Sequence, residues 1–196
     1  MTKRSAGILM YRGRGPELEV LLVHPGGPFW AKKDDGAWSI PKGEYDEAEE
    51  PLACAIRESE EELGMRPDGN FINLGEFAQS SRKIVVAFTV EGDFDPADLK
   101  SNRFELEWPP NSGRMQSFPE VDRAAWFAPN LAKVKILPGQ QGFIDRLLAT
   151  LHTSLSSERR DLAGMSQAFH LRPVRATMHQ GRPILRTATG AIETHA

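Results

Sequence analysis

"GEYDEAEEPLACAIRESEEELGM", Gly43 to Met65, carries nine acidic residues and one arginine in its first twenty positions. Pro51 suits the first turn of a helix, where its missing N–H costs nothing, and Gly64 suits the C-terminal stop. At about 100° per residue, setting Glu58 at zero puts Glu61 near −60° and Glu62 near +40°. Leu52, Ile56, Ser59 and Leu63 fall between roughly 100° and 160° on the same wheel. One face is apolar and its neighbour is a carboxylate cluster. Like charges one turn apart destabilise a helix by about a few tenths of a kcal/mol each, so either a ligand compensates them or the face is simply solvated. Carboxylates at i, i+3 and i+4 lie within reach of one hard divalent cation, and Mg²⁺ in particular combines a few carboxylates with substrate phosphates.

The segments around this helix read as a mixed α/β or α+β domain. "AGILMY" (6–11) and "LEVLLV" (18–23) are short apolar runs separated by the turn-forming "RGRGPE", which favours a pair of strands. Residues 24–43, with Pro and Gly throughout, read as loop, and a loop of that length in a compact domain is usually functional or mobile. Further strands are predicted at Asn73–Gln79, Lys83–Val90, Arg103–Trp108 and Arg123–Phe127. A helix is predicted from about Gly139 to His152, where Phe143, Leu147, Leu148 and Leu151 recur at helical spacing. Residues 153–196 have scattered apolar residues without a sustained period and read as a poorly ordered or loosely attached tail, with an oligomerisation arm or a basic lid as the functional rivals.

Composition excludes several classes. The 196 residues can bury one sizeable core. Of the net charge of −3, residues 157–196 hold six Arg against three acids, which leaves the rest of the chain at −6. That distribution argues against a nucleic-acid-binding core, which would show a basic patch. A single cysteine, Cys54, allows no intramolecular disulfide and fits a reducing, cytoplasmic setting. No run approaches the roughly 18 apolar residues of a membrane span, and the N-terminus lacks a signal-peptide core.

Gly43, Glu49, Arg57, Glu58, Glu61, Glu62 and Gly64 stand at the spacing G-x5-E-x7-R-E-x-x-E-E-x-G, which resembles the signature box of the Nudix hydrolases. "WSIPKGE" is similar to the W-x-x-P-x-G lead-in of many family members. The resemblance covers roughly residues 4–152 in layout. Two positions depart from the pattern: Ser59 replaces an aliphatic residue on the apolar stripe, and Ala48 stands where Gly is common. The Ser59 hydroxyl is expected to bond back to the Ala55 carbonyl.

The resemblance implies an α/β/α sandwich with a mixed sheet over residues 1–152 and Mg²⁺-dependent hydrolysis of a diphosphate linkage, with Mn²⁺ as a substitute. Carried over, Glu58, Glu61 and Glu62, with the Gly43 carbonyl, become metal ligands. Arg57 fixes a neighbouring box carboxylate, and Glu120 is an extra ligand or general base. Lys42 and Lys83 are candidates to hold phosphates, and Trp30 and Trp108 to stack a base, against the alternatives of exposed lysines and partly buried tryptophans. Glu49 is a helper or structural residue. Glu105 and Glu107 read as the wet side of a strand, and Cys54 as a small filler.

The implied partner is a small phosphorylated nucleotide. Residues 80–83, "SSRK", carry neither the proline of ADP-ribose enzymes nor the tyrosine of many dinucleoside polyphosphate enzymes, while "PKG" resembles dinucleoside polyphosphate and inositol pyrophosphate hydrolases. The reading is a nucleoside or dinucleoside polyphosphate substrate, with ADP-ribose, an inositol pyrophosphate, or a non-catalytic nucleotide sensor as alternatives.

Overall fold

The computed structural model describes residues 2–80 and 82–154, together with a two-stranded ribbon, β9 (Met178–His179) paired with β10 (Arg182–Pro183). The chain separates into one unit over Met1–His152 and a second over Thr153–Ala196. The expectation of a poorly ordered tail lies almost wholly outside the described residues.

The first unit is built on β1 (Lys3–Arg12), β2 (Glu19–Pro25), β3 (Lys42–Tyr45), β4 (Ile72–Ser80), β5 (Lys83–Glu91) and β8 (Val121–Phe127). They form one mixed sheet in the order β4-β5-β1-β2-β8, with β3 attached to β1. β1 and β5 run parallel at its centre, and both are near-continuous apolar sequences because helices cover both faces. Alternation along β1 sends Ala6, Ile8 and Met10 to one face, where Cys54, Ala55 and Leu63 of α1 (Pro51–Leu63) pack. Leu9 and Tyr11 go to the other, against Phe143, Ile144 and Leu147 of the helix α3 over 141–154. The architecture is thus the expected α/β/α sandwich, and α3 buries the periodic residues that predicted it.

The edge of β1 is divided, and this division positions the site. β3 takes positions Arg4–Gly7, while β2 pairs with β1 at Tyr11 and Arg12. The backbone of residues 38–41 fills the wedge between them: Ile8 donates its N–H to the Pro41 carbonyl (3.1 Å), and Val23 and Ser39 exchange both backbone bonds at 2.9 Å. The second half of the long loop is therefore part of the sheet's hydrogen bonding and feeds directly into β3. Gln140, fully buried, accepts from the Ile40 N–H at 3.1 Å and ties this wedge to the start of α3.

Three strands or α-helices of the first unit were not predicted. β3 is only four residues long and lies at the end of the loop; α2 (Pro129–Lys135) is a short helix after β8. β7 (Met115–Pro119) pairs antiparallel with β6 (Arg103–Glu107) in a hairpin apart from the main sheet. Its "MQSFP" has no strand periodicity, so only the partner strand was legible.

α1 begins and ends as expected. The Glu50 side chain accepts the Ala53 N–H at 3.0 Å, Pro51 occupies the first turn, and Gly64 adopts the left-handed conformation with φ of 77°. Ser59, buried in the apolar stripe, donates to the Ala55 carbonyl at 2.8 Å, so the departure from an aliphatic residue leaves no unmet hydroxyl. The α3 side of the core depends most on Phe143, fully buried and edge-on to Phe77 at 5.0 Å. Phe143→Ala is expected to lower unfolding free energy by about 3–5 kcal/mol, read as a fall in the urea midpoint.

Candidate active site

The fully exposed reading of the acidic helix fails at its centre, where Arg57 gathers three carboxylates. Its Nε and Nη2 donate to the two oxygens of Glu49, both at 3.0 Å, a bidentate pair. Nη1 donates to Glu58 at 2.6 Å and lies 3.3 Å from Glu61 Oε2. These bonds, Glu49 first, hold the guanidinium above its ordinary pKa. Glu49 enters this arrangement from the turn before α1, which gives the expected helper position a concrete contact.

Gly43 is where β3 meets α1. Its backbone pairs with Ala6, so the position faces the helix, and a Cβ there would fall within the Glu58 carboxylate. Glu58 is accordingly only 14% exposed. Burial raises its pKa, opposed by the Arg57 bond and supported by the charges of Glu61 and Glu120. Glu62 instead accepts the Lys42 N–H at 3.3 Å. Burial pushes Glu62 up to about 7, against the pull of Lys42 and with the repulsion of Glu58 and Glu120. Lys42 is shifted down by burial, Glu62 opposing and Lys83 adding to the shift.

Glu120, exposed at the head of β8, is fixed through its backbone: its N–H donates to Asn102 O (2.8 Å) and its carbonyl accepts from Gly26 (2.9 Å). Its charge adds, least of the causes, to the upward shifts of Glu58 and Glu62. Lys83, at the start of β5, lies 3.9 Å from Glu44 and influences Lys42. Trp108 sits at the end of β6, edge-on to Phe29 at 5.3 Å, and accepts Gln116 Nε2 at its carbonyl; none of these contacts is with the box. Trp30 packs partly buried against the core under Lys33, the safer of the two expectations. Cys54 is buried, its thiol 3.6 Å from the Gly43 carbonyl and pushed up to about 11 by burial, as a filler should be.

The sequence reading passed over His24. It is fully buried at the end of β2, with Nδ1 2.7 Å from Asp122 Oδ1 and Nε2 2.9 Å from the Lys33 carbonyl. The ring ties the 26–40 loop to the strand that carries Glu120. A lone histidine after an apolar run gave no signal of this, since its partners are distant in sequence.

Among the described residues, no three His, Cys, Asp or Glu side chains converge closely enough to hold a metal ion as they stand. The reason is visible in the contacts: Glu58 and Glu61 are drawn to Arg57, and Glu62 is drawn to the Lys42 backbone. The donor chemistry nevertheless fits a hard divalent cation, because buried carboxylates repelling one another are stabilised by a positive charge between them.

Two outcomes follow from this geometry. Glu62 keeps its proton to higher pH in the folded chain than in the unfolded one, so its contribution to metal-free stability is complete below about 4.5 and is lost as pH rises through about 7. Glu62→Gln is expected to remove that slope from stability measured by urea denaturation across the interval. Gly43→Ala should destabilise the fold by about 1–3 kcal/mol, an overpacking cost, and much less in a Glu58→Ala background. Nearly equal costs in the two backgrounds would show that the two positions are uncoupled.

Comparisons with known proteins bear on the family and the fold. A family model described as the NUDIX domain matches residues 1–147. Among solved structures, the chain is similar to a C. elegans Ap4A hydrolase in a binary complex, with a TM-score of 0.52, 18% identity and coverage of 78% of this chain and 99% of that one. It is equally similar, at a TM-score of 0.52 and 16% identity over 78% of this chain and 96% of that one, to a mutT/nudix family protein from Listeria innocua. The NUDIX domain of Shewanella oneidensis NrtR, complexed with ADP ribose, aligns at a TM-score of 0.50 and 17% identity over 77% of this chain and 89% of that one. At these identities the likeness is one of fold. A curated octanoyltransferase of Myxococcus xanthus is 38% identical over 63 residues, but the chain spans only 16% of that protein's length, so its activity stays with that protein. No helix among the described residues is long and apolar enough to cross a membrane. With residues 1–147 matched by the family model and the box residues gathered on α1 and β3, the chain belongs to the NUDIX domain family.

Proposed function

We propose that the chain hydrolyses a diphosphate linkage in a nucleoside or dinucleoside polyphosphate, using Mg²⁺ with Mn²⁺ as a substitute. The observation that carries this reading is the Arg57 bridge, which holds Glu58 and Glu61 on one arc of α1 beside the buried Glu62. Glu58, Glu61 and Glu62, with the Gly43 carbonyl, are the residues that would hold the cation. When bound it neutralises phosphate charge and lowers the pKa of the attacking water. Arg57 acts as a positioning residue, keeping the carboxylates in register. Glu120, open to solvent and close enough to influence both buried carboxylates, takes the proton from the water. Lys42 and Lys83 meet phosphate oxygens, and Trp108, with Phe29 against it, offers an aromatic surface to a base. We assign the hydrolase domain to residues 1–152 and treat 153–196 as a C-terminal tail.

The likeness to C. elegans Ap4A hydrolase and the "PKG" lead-in support a polyphosphate substrate. The likeness to an NrtR domain complexed with ADP ribose favours a second reading, in which the diphosphate joins a nucleoside to a sugar.

The test is product release from dinucleoside polyphosphates, nucleoside triphosphates, ADP-ribose and inositol pyrophosphates, with Mg²⁺, with Mn²⁺ and with chelator. Turnover is expected to depend on the metal, to be lost in Glu61→Gln, and to fall about 10- to 100-fold in Arg57→Lys, the range for residues that orient metal ligands. Nucleotide binding without turnover anywhere on the panel would instead identify a sensor.

A further inference from the structure

β8 carries a bulge just after Val121. His24 pairs with Arg123 and Pro25 with Val121, so Asp122 is an extra residue without a partner on β2. The bulge changes which residues face the core. Val121 and Ala124 are both buried in the layer beneath α1, and a step of three residues returns to one face of a strand only if a residue is passed over. Strict alternation from Ala124 would instead carry Asp122 and Glu120 to that face. The bulge thus seats Val121 in the core and leaves Glu120 exposed.

The Asp122 side chain has a fixed partner. Leu21 and Val23 of β2 face α1, so His24 lies on the opposite face, fully buried and edge-on to Trp38 at 5.2 Å. The displaced Asp122 reaches that ring at 2.7 Å from Nδ1, while Nε2 lies 2.9 Å from the Lys33 carbonyl. A carboxylate and a carbonyl only accept, so the ring donates from both nitrogens and the Asp122 charge balances it. The other charges nearby have partners of their own. Arg123 lies 3.4 Å from Asp122 and over the Trp38 ring, Lys33 extends over Trp30, and Asp34 accepts from Lys135 and from the Trp38 indole. Two residues beyond His24, the Gly26 N–H donates to the carbonyl of Glu120 at 2.9 Å, two residues before Asp122. The approach is close enough that a Cβ on Gly26 would run into the Pro119 carbonyl.

We infer that the His24–Asp122 pair is a positioning device for Glu120: it holds the bulge that keeps Glu120 out of the core and clamps the Glu120 backbone to Gly26. This rests on the role of Glu120 as proton acceptor proposed above and extends it. His24 and Asp122 act through Glu120 and not on the substrate.

The experiment compares the full chain with Asp122→Ala and with Asp122→Asn, which keeps an acceptor oxygen, by amide hydrogen exchange and by turnover with Mg²⁺. In Asp122→Ala, exchange of the Gly26 and Glu120 amides is expected to speed up about tenfold more than that of Ile8 at the sheet centre, the effect of losing one charge-assisted hydrogen bond locally. Asp122→Asn should speed them less. In turnover, Asp122→Ala is expected to lower kcat about tenfold with KM kept, part of the roughly 100-fold or more that a positioned base supplies. Combined with Glu120→Gln it should be no slower than Glu120→Gln alone, because both act through one group. Equal acceleration of all three amides, or losses of kcat that multiply in the double variant, would overturn the device. If the exchange pattern holds but Glu120→Gln keeps full activity, or no substrate is turned over, the clamp on Glu120 stands and its role as proton acceptor fails.

Discussion

Arg57 donates to three carboxylates from the middle of α1, and the arrangement of the site depends on that one guanidinium. A helix with Glu58, Glu60, Glu61 and Glu62 in succession would repel itself, and two of these side chains are drawn inward where repulsion is least screened. Arg57 offsets the repulsion at Glu58 and Glu61 while gripping Glu49, which lies before the helix begins. Glu62 is left to the Lys42 backbone and to the Lys42 charge. The carboxylates are thus kept apart in pairs, each with a cationic or N–H partner. A divalent cation would exchange those partners for itself, and the same burial that raises Glu58 and Glu62 would strengthen its attraction to them.

The sheet supplies what a helix alone cannot. Because β1 is shared between β3 at one end and β2 at the other, the backbone of residues 38–41 is wedged into the gap and delivers Gly43 against α1. Only glycine fits there, since the Glu58 carboxylate already fills the Cβ position. On the far end, His24 and Asp122 join the loop to β8, and the backbone of Glu120 is bonded to both Gly26 and Asn102. Box and outlying acid are therefore held by separate strands of one rigid sheet, a better foundation for exact spacing than a loop.

The helix and its caps were legible because their signals are local: Pro51, Gly64 and a 3.6-residue apolar stripe all lie within α1 itself. So were β1, β2, β5 and α3, whose apolar residues pack against one another in the two layers of core. The sequence could not disclose partnerships between distant residues. His24 meets Asp122 across 98 positions, and Ser5 comes to lie between Glu44 and Val85 only because three strands align in one register. β7 and β3 were missed for a related reason, as each is a short polar segment made into a strand by its neighbour. The spacing of Gly43 to Glu58 pointed to the box, but nothing in a spacing says that the glycine and the carboxylate occupy touching positions.

We propose that the crowded carboxylates of α1 form a cation site held in reserve by Arg57. Its most direct test is calorimetric titration of Mn²⁺ into substrate-free protein at neutral pH, for wild type, Glu58→Gln and Glu62→Gln. The account predicts saturable binding to wild type and clearly weaker binding to both variants, with their folds intact by melting. Absence of binding to wild type, or equal affinity in all three proteins, would contradict it.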